Sequence, residues 1–207
     1  MSEPLLLATR SAGKLRELKP LLADAGFSAI DLTEAGLTPS AEEDALERFT
    51  TFELNALAKA HYFLARSGLP TIADDSGLQV AALDGAPGVR SKRWSGRADL
   101  EGQALDDANN AALLAALDGV ADTRARYVCV AAYADWTFGA TTRGESGGRV
   151  VREPRGQNGF GYDPYFLSDE LGRTFGAASR EAKEAISHRG RAFRALCDVL
   201  RTRARSR

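Results

Sequence analysis

The stretch from Thr71 to Gly96, TIADDSGLQVAALDGAPGVRSKRWSG, constrains the fold most, because it sets two adjacent carboxylates directly after a short apolar run. Thr71, Ile72 and Ala73 read as the end of a buried strand, and Gly77, Gly85, Pro87 and Gly88 predict turns soon after it. Successive side chains of an extended strand face opposite ways, so Asp74 and Asp75 are expected to serve different partners, one as the working group and one as its support. A catalytic metal site would fit there. Asp-Asp-Ser-Gly is also ordinary turn chemistry, since Asp and Ser bond nearby backbone and Gly takes positive φ. The rest of the chain has to decide between the two.

The 207 residues allow one large domain or two small lobes, and a 44% hydrophobic content is enough for a sizeable core. Twenty-seven basic residues against twenty-eight acidic ones give a formal charge of -1. Such a balance argues against whole-protein attraction to nucleic acid or to an anionic membrane, so any anion site must be local. The apolar run Leu5 to Ala8 is too short for a signal-peptide core or a membrane span, and nothing longer follows. A cytoplasmic protein is expected. Cys129 and Cys197 lie in apolar runs with no CxxC or Cys/His cluster, which predicts buried thiols and no zinc or redox work.

In chain order, Leu5 to Ala8 reads as a strand, Thr9 to Lys14 as a loop, and Leu15, Leu18, Leu21 and Leu22 as the apolar face of a helix with Ser11 as N-cap and Gly26 beyond its end. Pro20 leaves the middle of that helix open. A helix N-terminus offers unpaired N–H groups, so Thr9, Ser11 and the Lys14 ammonium could hold phosphate oxygens. It is not a Walker A loop, which needs Gly where Ala8 stands and Ser or Thr where Leu15 follows the lysine. Phe27 to Leu32 predicts a short strand, Thr33 to Asp44 a polar connection, and Leu46 to Ser67 a helix with Glu47, Glu53, Asn55 and Lys59 on or beside it. Glutamates on a helix face, and His61, are ordinarily just solvated.

Leu100 to Leu117 predicts a helix whose polar side is Asp106, Asp107, Asn109 and Asn110. Arg126 to Ala134 has core-strand composition, Thr137 to Arg143 suits a hairpin partner, Gly144 to Gly148 a turn, and Arg149 to Arg152 a further strand. Gly156 to Pro164, GQNGFGYDP, reads as a recognition loop in which Phe160 or Tyr162 can stack on a planar base and Asp163 can accept from a ring N–H; alternatively both rings plug the core. Ser179 to Ile186, carrying Lys183, predicts a short helix. A last helix follows, capped by Ser187 or His188, with Phe193, Leu196 and Leu200 inward. Arg201, Arg203, Arg205 and Arg207 form a basic tail that reads as a frayed, solvated end over 201–207. The element order predicts an α/β fold with a mixed central sheet.

Five segments stand in one order: TRSAGKLREL, ERFTTFELNALAKA, ADDSGLQVAALDGAPGVRSKRWSG, GQNGFGYDPYF and EAKEAISHRGRA. Across nearly the whole chain they resemble the inosine/xanthosine triphosphate pyrophosphatase family. That resemblance implies a single domain over 1–207, a mixed sheet flanked by helices in two lobes with the active-site cleft between them, and a cytoplasmic homodimer. It implies Mg2+-dependent hydrolysis of ITP, dITP and XTP to the nucleoside monophosphate and pyrophosphate, with no nucleic-acid or membrane partner. By position, Asp75 matches the general base and a metal contact, and Glu47 the other metal contact. Thr9, Arg10, Ser11, Ala12, Gly13 and Lys14 match the phosphate loop, and Ser76 an adjoining substrate contact. Phe160, Gly161, Tyr162 and Asp163 match the base loop, and Lys183, His188 and Arg189 the donors to a 6-keto oxygen.

Two positions depart from the family pattern. Ser11 stands where asparagine is usual, and Arg48 and Phe49 stand where Thr-Gly usually follows the metal glutamate, so Glu42, Glu43 and Asp44 compete with Glu47 for that alignment. Arg93 matches an arginine of bacterial members, set toward the phosphates, a partner subunit or the surface. Other readings are a pyrophosphatase of modified pyrimidines, which GFGYDP and SHRGRA argue against, and a nucleotide sensor without turnover. A nucleic-acid-binding module comes last, because basic character is confined to the tail.

Overall fold

The computed structural model describes residues 3–205, apart from the side chain of Asp44. Its strands are β1 (Leu5–Leu7), β2 (Ala29–Asp31), β3 (Thr71–Val80), β4 (Arg124–Asp135), β5 (Phe138–Val150) and β6 (Phe166–Ser168). Its α-helices are α1 (Ala12–Asp24), α2 (Phe52–Ser67), α3 (Gly102–Ala116), α4 (Arg180–Ile186) and α5 (His188–Arg205), with short 3-10 turns between. Among the described residues the strands form one sheet in the order β2-β1-β3-β4-β5-β6. The sheet is mixed: β1 runs parallel to β2 and β3, while β5 and β6 are antiparallel. β4 and β5 are joined through only Trp136 and Thr137, too short a link for a parallel crossover. The expected α/β class with a helix-flanked mixed sheet is therefore present.

The chain divides into two compact units, one of Met1–Asp75, Cys129–Gly144 and Arg189–Arg207, the other of Ser76–Val128 and Glu145–His188. In the first, Leu18, Leu21 and Leu22 of α1 and Phe193, Leu196 and Leu200 of α5 pack with Leu5, Leu7, Ile72, Cys129 and Ala131. Those helical residues recur at three- and four-residue spacing, so each helix buries one stripe. Pro20 sits inside α1 without ending it. In the second unit Leu113 and Leu117 cover Leu78, Val80, Tyr127, Val150, Tyr162, Phe166 and Phe175. Both cysteines are free and buried, as their apolar runs predict. No helix of the described residues is long and apolar enough to cross a membrane.

Four local readings are corrected. α2 begins at Phe52, six residues after the expected start, because Thr51 caps Leu54 N–H while the Asn55 side chain bonds both N–H and C=O of Phe49 and holds the preceding segment out of the helix. β3 does not break at the carboxylates but runs on through Val80. β5 is one strand across the expected turn at Gly144 to Gly148, with alternating burial along that stretch. α5 continues through Arg205, so 201–205 is helix and not a loose end: Arg201 donates to the Ala25 carbonyl, and Arg203 pairs with Asp135 over the Phe138 ring. Arg207 lies outside the described residues.

The second and third corrections share a cause. Gly77 and Gly148 mark close approaches inside strands, not turns. A Cβ on Gly77 would meet the Gly88 carbonyl and Ser91 Oγ, and one on Gly148 would meet the Leu167 carbonyl and the Phe166 ring. Ser91 Oγ occupies the space beside Gly77, accepting from Leu78 N–H at 2.9 Å and donating to the Gly88 carbonyl at 2.7 Å. Gly77→Ala should therefore cost about 1–3 kcal/mol through overpacking against backbone. Urea unfolding measures this, and an unchanged midpoint would show that the approach is not close.

Candidate active site

At the head of α1 the loop residues organise one another. Thr9 Oγ1 accepts from Ser11 N–H at 3.2 Å, and Ser11 Oγ, as N-cap, accepts from Lys14 N–H at 3.4 Å. The serine that replaces the usual asparagine thus still caps the helix. The N–H groups of Ala12 and Gly13 head the helix without intrahelical acceptors and, with the dipole, favour an anion. Lys14 Nζ lies 2.9 Å from Asp74 Oδ2. Arg10 is placed differently from the other loop residues: its guanidinium bonds Glu43 through two nitrogens, at 3.0 and 2.8 Å, and the Leu37 carbonyl at 2.8 Å.

Asp74 and Asp75 do part company, as alternation along a strand requires. Asp74 meets Lys14 of α1, the Cys129 thiol of β4 at 3.8 Å and Arg189 Nε of α5 at 3.7 Å. Asp75 meets α2 instead: Asn55 Nδ2 donates to its Oδ2 at 2.9 Å, and Lys59 Nζ is 3.8 Å from Oδ1. Both carboxylates are nearly buried, at 1% and 4% exposure, yet their acidities diverge. For Asp74, burial pushes the pKa up, but Lys14, Arg189 and Lys59 outweigh it and hold the group down at about 2. For Asp75 burial prevails, with Glu47 adding to it against Lys59 and Lys14, and the pKa is raised.

Lys59 also brings an acid to Asp75. Its Nζ lies 2.7 Å from Glu47 Oε1, so Glu47 and Asp75 share one buried ammonium. Glu42 instead accepts from Tyr62, and Glu43 binds Arg10 and Arg66. The side chain of Asp44 lies outside the described residues. Asn55 and Lys59 were not singled out as site residues by the sequence, but a signal exists: Phe52, Asn55, Ala56, Lys59, Ala60 and Phe63 form one buried helical stripe with two polar members.

In the second unit Ser76 continues β3, half-buried. Asp163 Oδ2 accepts from Phe160 N–H at 2.8 Å and from Lys183 Nζ at 2.7 Å, and Lys183 Nζ stands 5.3 Å from the Phe160 ring centroid. Three residues expected to read a base are thus one cluster. His188 stacks on Tyr127 at 4.5 Å. Two members of the loop divide as its two readings did: Phe160 is half-exposed, whereas Tyr162 is buried and donates to the Ser91 carbonyl at 2.8 Å, so its ring is a core plug and not a stacking surface. Arg189, expected among the same donors as Lys183 and His188, has acidic partners. Its guanidinium pairs with Glu17 and Asp74 in the first unit, which makes it a brace for Asp74. Asp106, Asn109 and Asn110, expected on the polar side of α3, bond backbone of Gly161, Lys92 and Ser95. Arg93 is exposed.

The low pKa of Asp74 links to stability. A carboxylate depressed from 3.8 to about 2 on folding contributes on the order of 2 kcal/mol above its unfolded pKa, and that share is lost as pH falls from about 4 toward 2. Thermal melts of metal-free protein between pH 5 and pH 2 should show this acid limb, at about those values, flattened in Asp74→Asn. An unaltered slope would mean that Asp74 is not held ionised by its cations.

The model of the Ham1 family matches residues 5–199. A protein of Mycolicibacterium paratuberculosis described as dITP/XTP pyrophosphatase is 48% identical over 207 residues, covering 99% of this chain and 98% of its own. One of Frankia alni with the same description is 49% identical over 199 residues, covering 95% and 96%. The solved structure of a HAM1 protein from Coxiella burnetii superposes with a TM-score of 0.83 at 36% identity, covering 97% of this chain and all of that one. With the fold and the carboxylate pair in view, these matches establish that the chain belongs to the Ham1 family.

Proposed function

We propose that the chain hydrolyses deaminated purine nucleoside triphosphates, ITP, dITP and XTP, between the α and β phosphates, releasing the nucleoside monophosphate and pyrophosphate. The observation that carries this is the shared ammonium: Lys59 draws Glu47 and Asp75 together while Lys14, at the head of α1, stands on the neighbouring Asp74. The description of the Mycolicibacterium and Frankia relatives as dITP/XTP pyrophosphatases supports the substrate class.

Asp75 is the general base. Burial raises its proton affinity, which suits a group that must take a proton from water as the oxygen attacks the α-phosphorus. The new P–O bond forms as the bond to the β-phosphate oxygen breaks, and pyrophosphate leaves. The N–H groups of Ala12 and Gly13 and the side chains of Thr9, Ser11 and Lys14 bear the phosphates, and Ser76 adjoins them. A hard divalent cation suits Glu47 and Asp75 in donor chemistry, because both are carboxylates drawn to the Lys59 ammonium; among the described residues no cluster of three or more acidic, His or Cys side chains is formed, so phosphate oxygens and water would complete the set. Glu47 and Asp75 would hold Mg2+. When bound, it offsets the charge of the phosphates and orients the attacking water.

The base falls to Phe160, Asp163, Lys183 and His188. Stacking on Phe160 serves any purine, whereas Lys183 and His188 as donors and Asp163 as acceptor match a 6-keto group and a protonated N1. Adenine reverses both, and each mismatched buried group costs about 1–3 kcal/mol. The same reading includes a homodimer acting in the cytoplasm on the free nucleotide pool.

Incubation with Mg2+ and ITP, XTP, ATP or GTP, with products identified, is the test: pyrophosphate from ITP and XTP is expected, and orthophosphate would refute the cleavage position. In the same assay Asp75→Asn should lower kcat by about 10²–10⁴ while calorimetric ITP affinity measured without Mg2+ stays near wild type, because the base is lost and the phosphate and base contacts are kept. Parallel loss of affinity and turnover would assign Asp75 to folding instead.

A further inference from the structure

The base loop is held by a pair of residues that the catalytic reading does not use. Asp106 and Asn110 are one helical turn apart on α3 and so share a face. Asp106 Oδ2 accepts from Gly161 N–H at 2.8 Å, and Asn110 Nδ2 donates to the Gly161 carbonyl at 3.0 Å. The residues flanking that glycine are Phe160, whose N–H enters the Asp163 carboxylate, and Tyr162, whose hydroxyl is fixed to the Ser91 carbonyl. The intervening Asn109 holds the Lys92 carbonyl and Ser95 N–H, anchoring the segment that receives Tyr162. Asn110 Oδ1 is buried without a hydrogen-bond partner. Leaving an amide oxygen unpaired is costly, and flipping the amide would set that oxygen against the Gly161 carbonyl, so the donor bond fixes its orientation.

We propose that Asp106 and Asn110 are positioning residues for purine discrimination, gripping the backbone of Gly161 by its N–H and its C=O, one in each of the two peptide groups it joins, and thereby fixing Phe160 before it and Asp163 after it. This rests on the reading of the loop given under Proposed function. A stacking ring tolerates small displacements, but a hydrogen bond to a base edge weakens steeply as its angle opens. Loosening the grip should therefore erode selectivity before it erodes the chemistry, whose residues lie elsewhere.

The test compares kcat and KM for ITP and ATP in the full chain, as wild type, Asp106→Ala, Asp106→Asn and Asn110→Ala, with amide hydrogen exchange at Gly161 as a second readout. Asp106→Ala and Asn110→Ala should each reduce the ITP-to-ATP ratio of kcat/KM about tenfold. The loss should appear in KM for ITP, with kcat within about twofold. Gly161 exchange should accelerate in Asp106→Ala. Asp106→Asn, whose amide oxygen still accepts, should retain both selectivity and protection. Wild-type selectivity in the folded alanine variants overturns the proposal, as does an equal fall in kcat for both nucleotides. If Asp106→Ala does not fold, Asn110→Ala decides the matter alone, since it leaves the carboxylate bond in place. A wild-type chain that leaves ITP intact overturns the parent reading, whereas unchanged Gly161 exchange in Asp106→Ala overturns the grip itself.

Discussion

Two carboxylates on consecutive residues of a buried strand repel each other and resist burial, and the first unit is arranged around that cost. Asp74 receives an ammonium at 2.9 Å, a guanidinium at 3.7 Å and a thiol. Asp75 receives a neutral amide at 2.9 Å and an ammonium only at 3.8 Å, one that Glu47 also claims. At an effective dielectric of about 20, a unit pair at the shorter of the two ammonium distances is stronger by about 1 kcal/mol, comparable to one pKa unit, before Glu47 is counted. Hence one acid is pinned ionised and its neighbour is left more basic. The first unit thereby separates an electrostatic support from a proton acceptor within a single dipeptide.

That separation explains why the braces reach so far. Glu17 engages Arg189, which stands beside Asp74, and Asn55 ties the backbone of Phe49 to Asp75. The segment bearing Glu47 is therefore joined to the carboxylate it accompanies through two residues of one helix, Asn55 and Lys59. Arg48 and Phe49, which depart from the usual Thr-Gly, leave this arrangement intact because Asn55 uses only the backbone of Phe49. The second unit solves a different problem, fixing an irregular loop with no ladder of its own, and does so with side chains from α3 and α4 and with the Ser91 carbonyl, which accepts from the loop's own Tyr162 hydroxyl.

Much of this was legible locally. The strand, cap and helix from Leu5 to Asp24, the burial of Cys129 and Cys197, the helix of Arg180–Ile186 with its Ser179 cap, and the opposed partners of Asp74 and Asp75 all follow from propensity, capping and alternation. The errors also have one character. Gly77 and Gly148 predict turns because φ freedom is the common use of glycine, whereas here the absent Cβ admits a neighbouring backbone. Asn109 and Asn110 read only as part of the polar side of a helix, and it is the fold that gives them loop backbone to satisfy.

The sequence by itself determined the class of fold, the family resemblance and the residue types available for phosphate, metal and base. Tertiary structure alone decided which charge answers which. It set Glu47 and not Glu43 against Lys59, turned Arg189 toward Asp74, buried Tyr162 and closed α3 on Gly161. The reason is range. Capping and periodicity act over a few residues and can be read along a chain, but pairing a buried charge depends on distances between segments far apart in sequence, and those exist only once the sheet has formed.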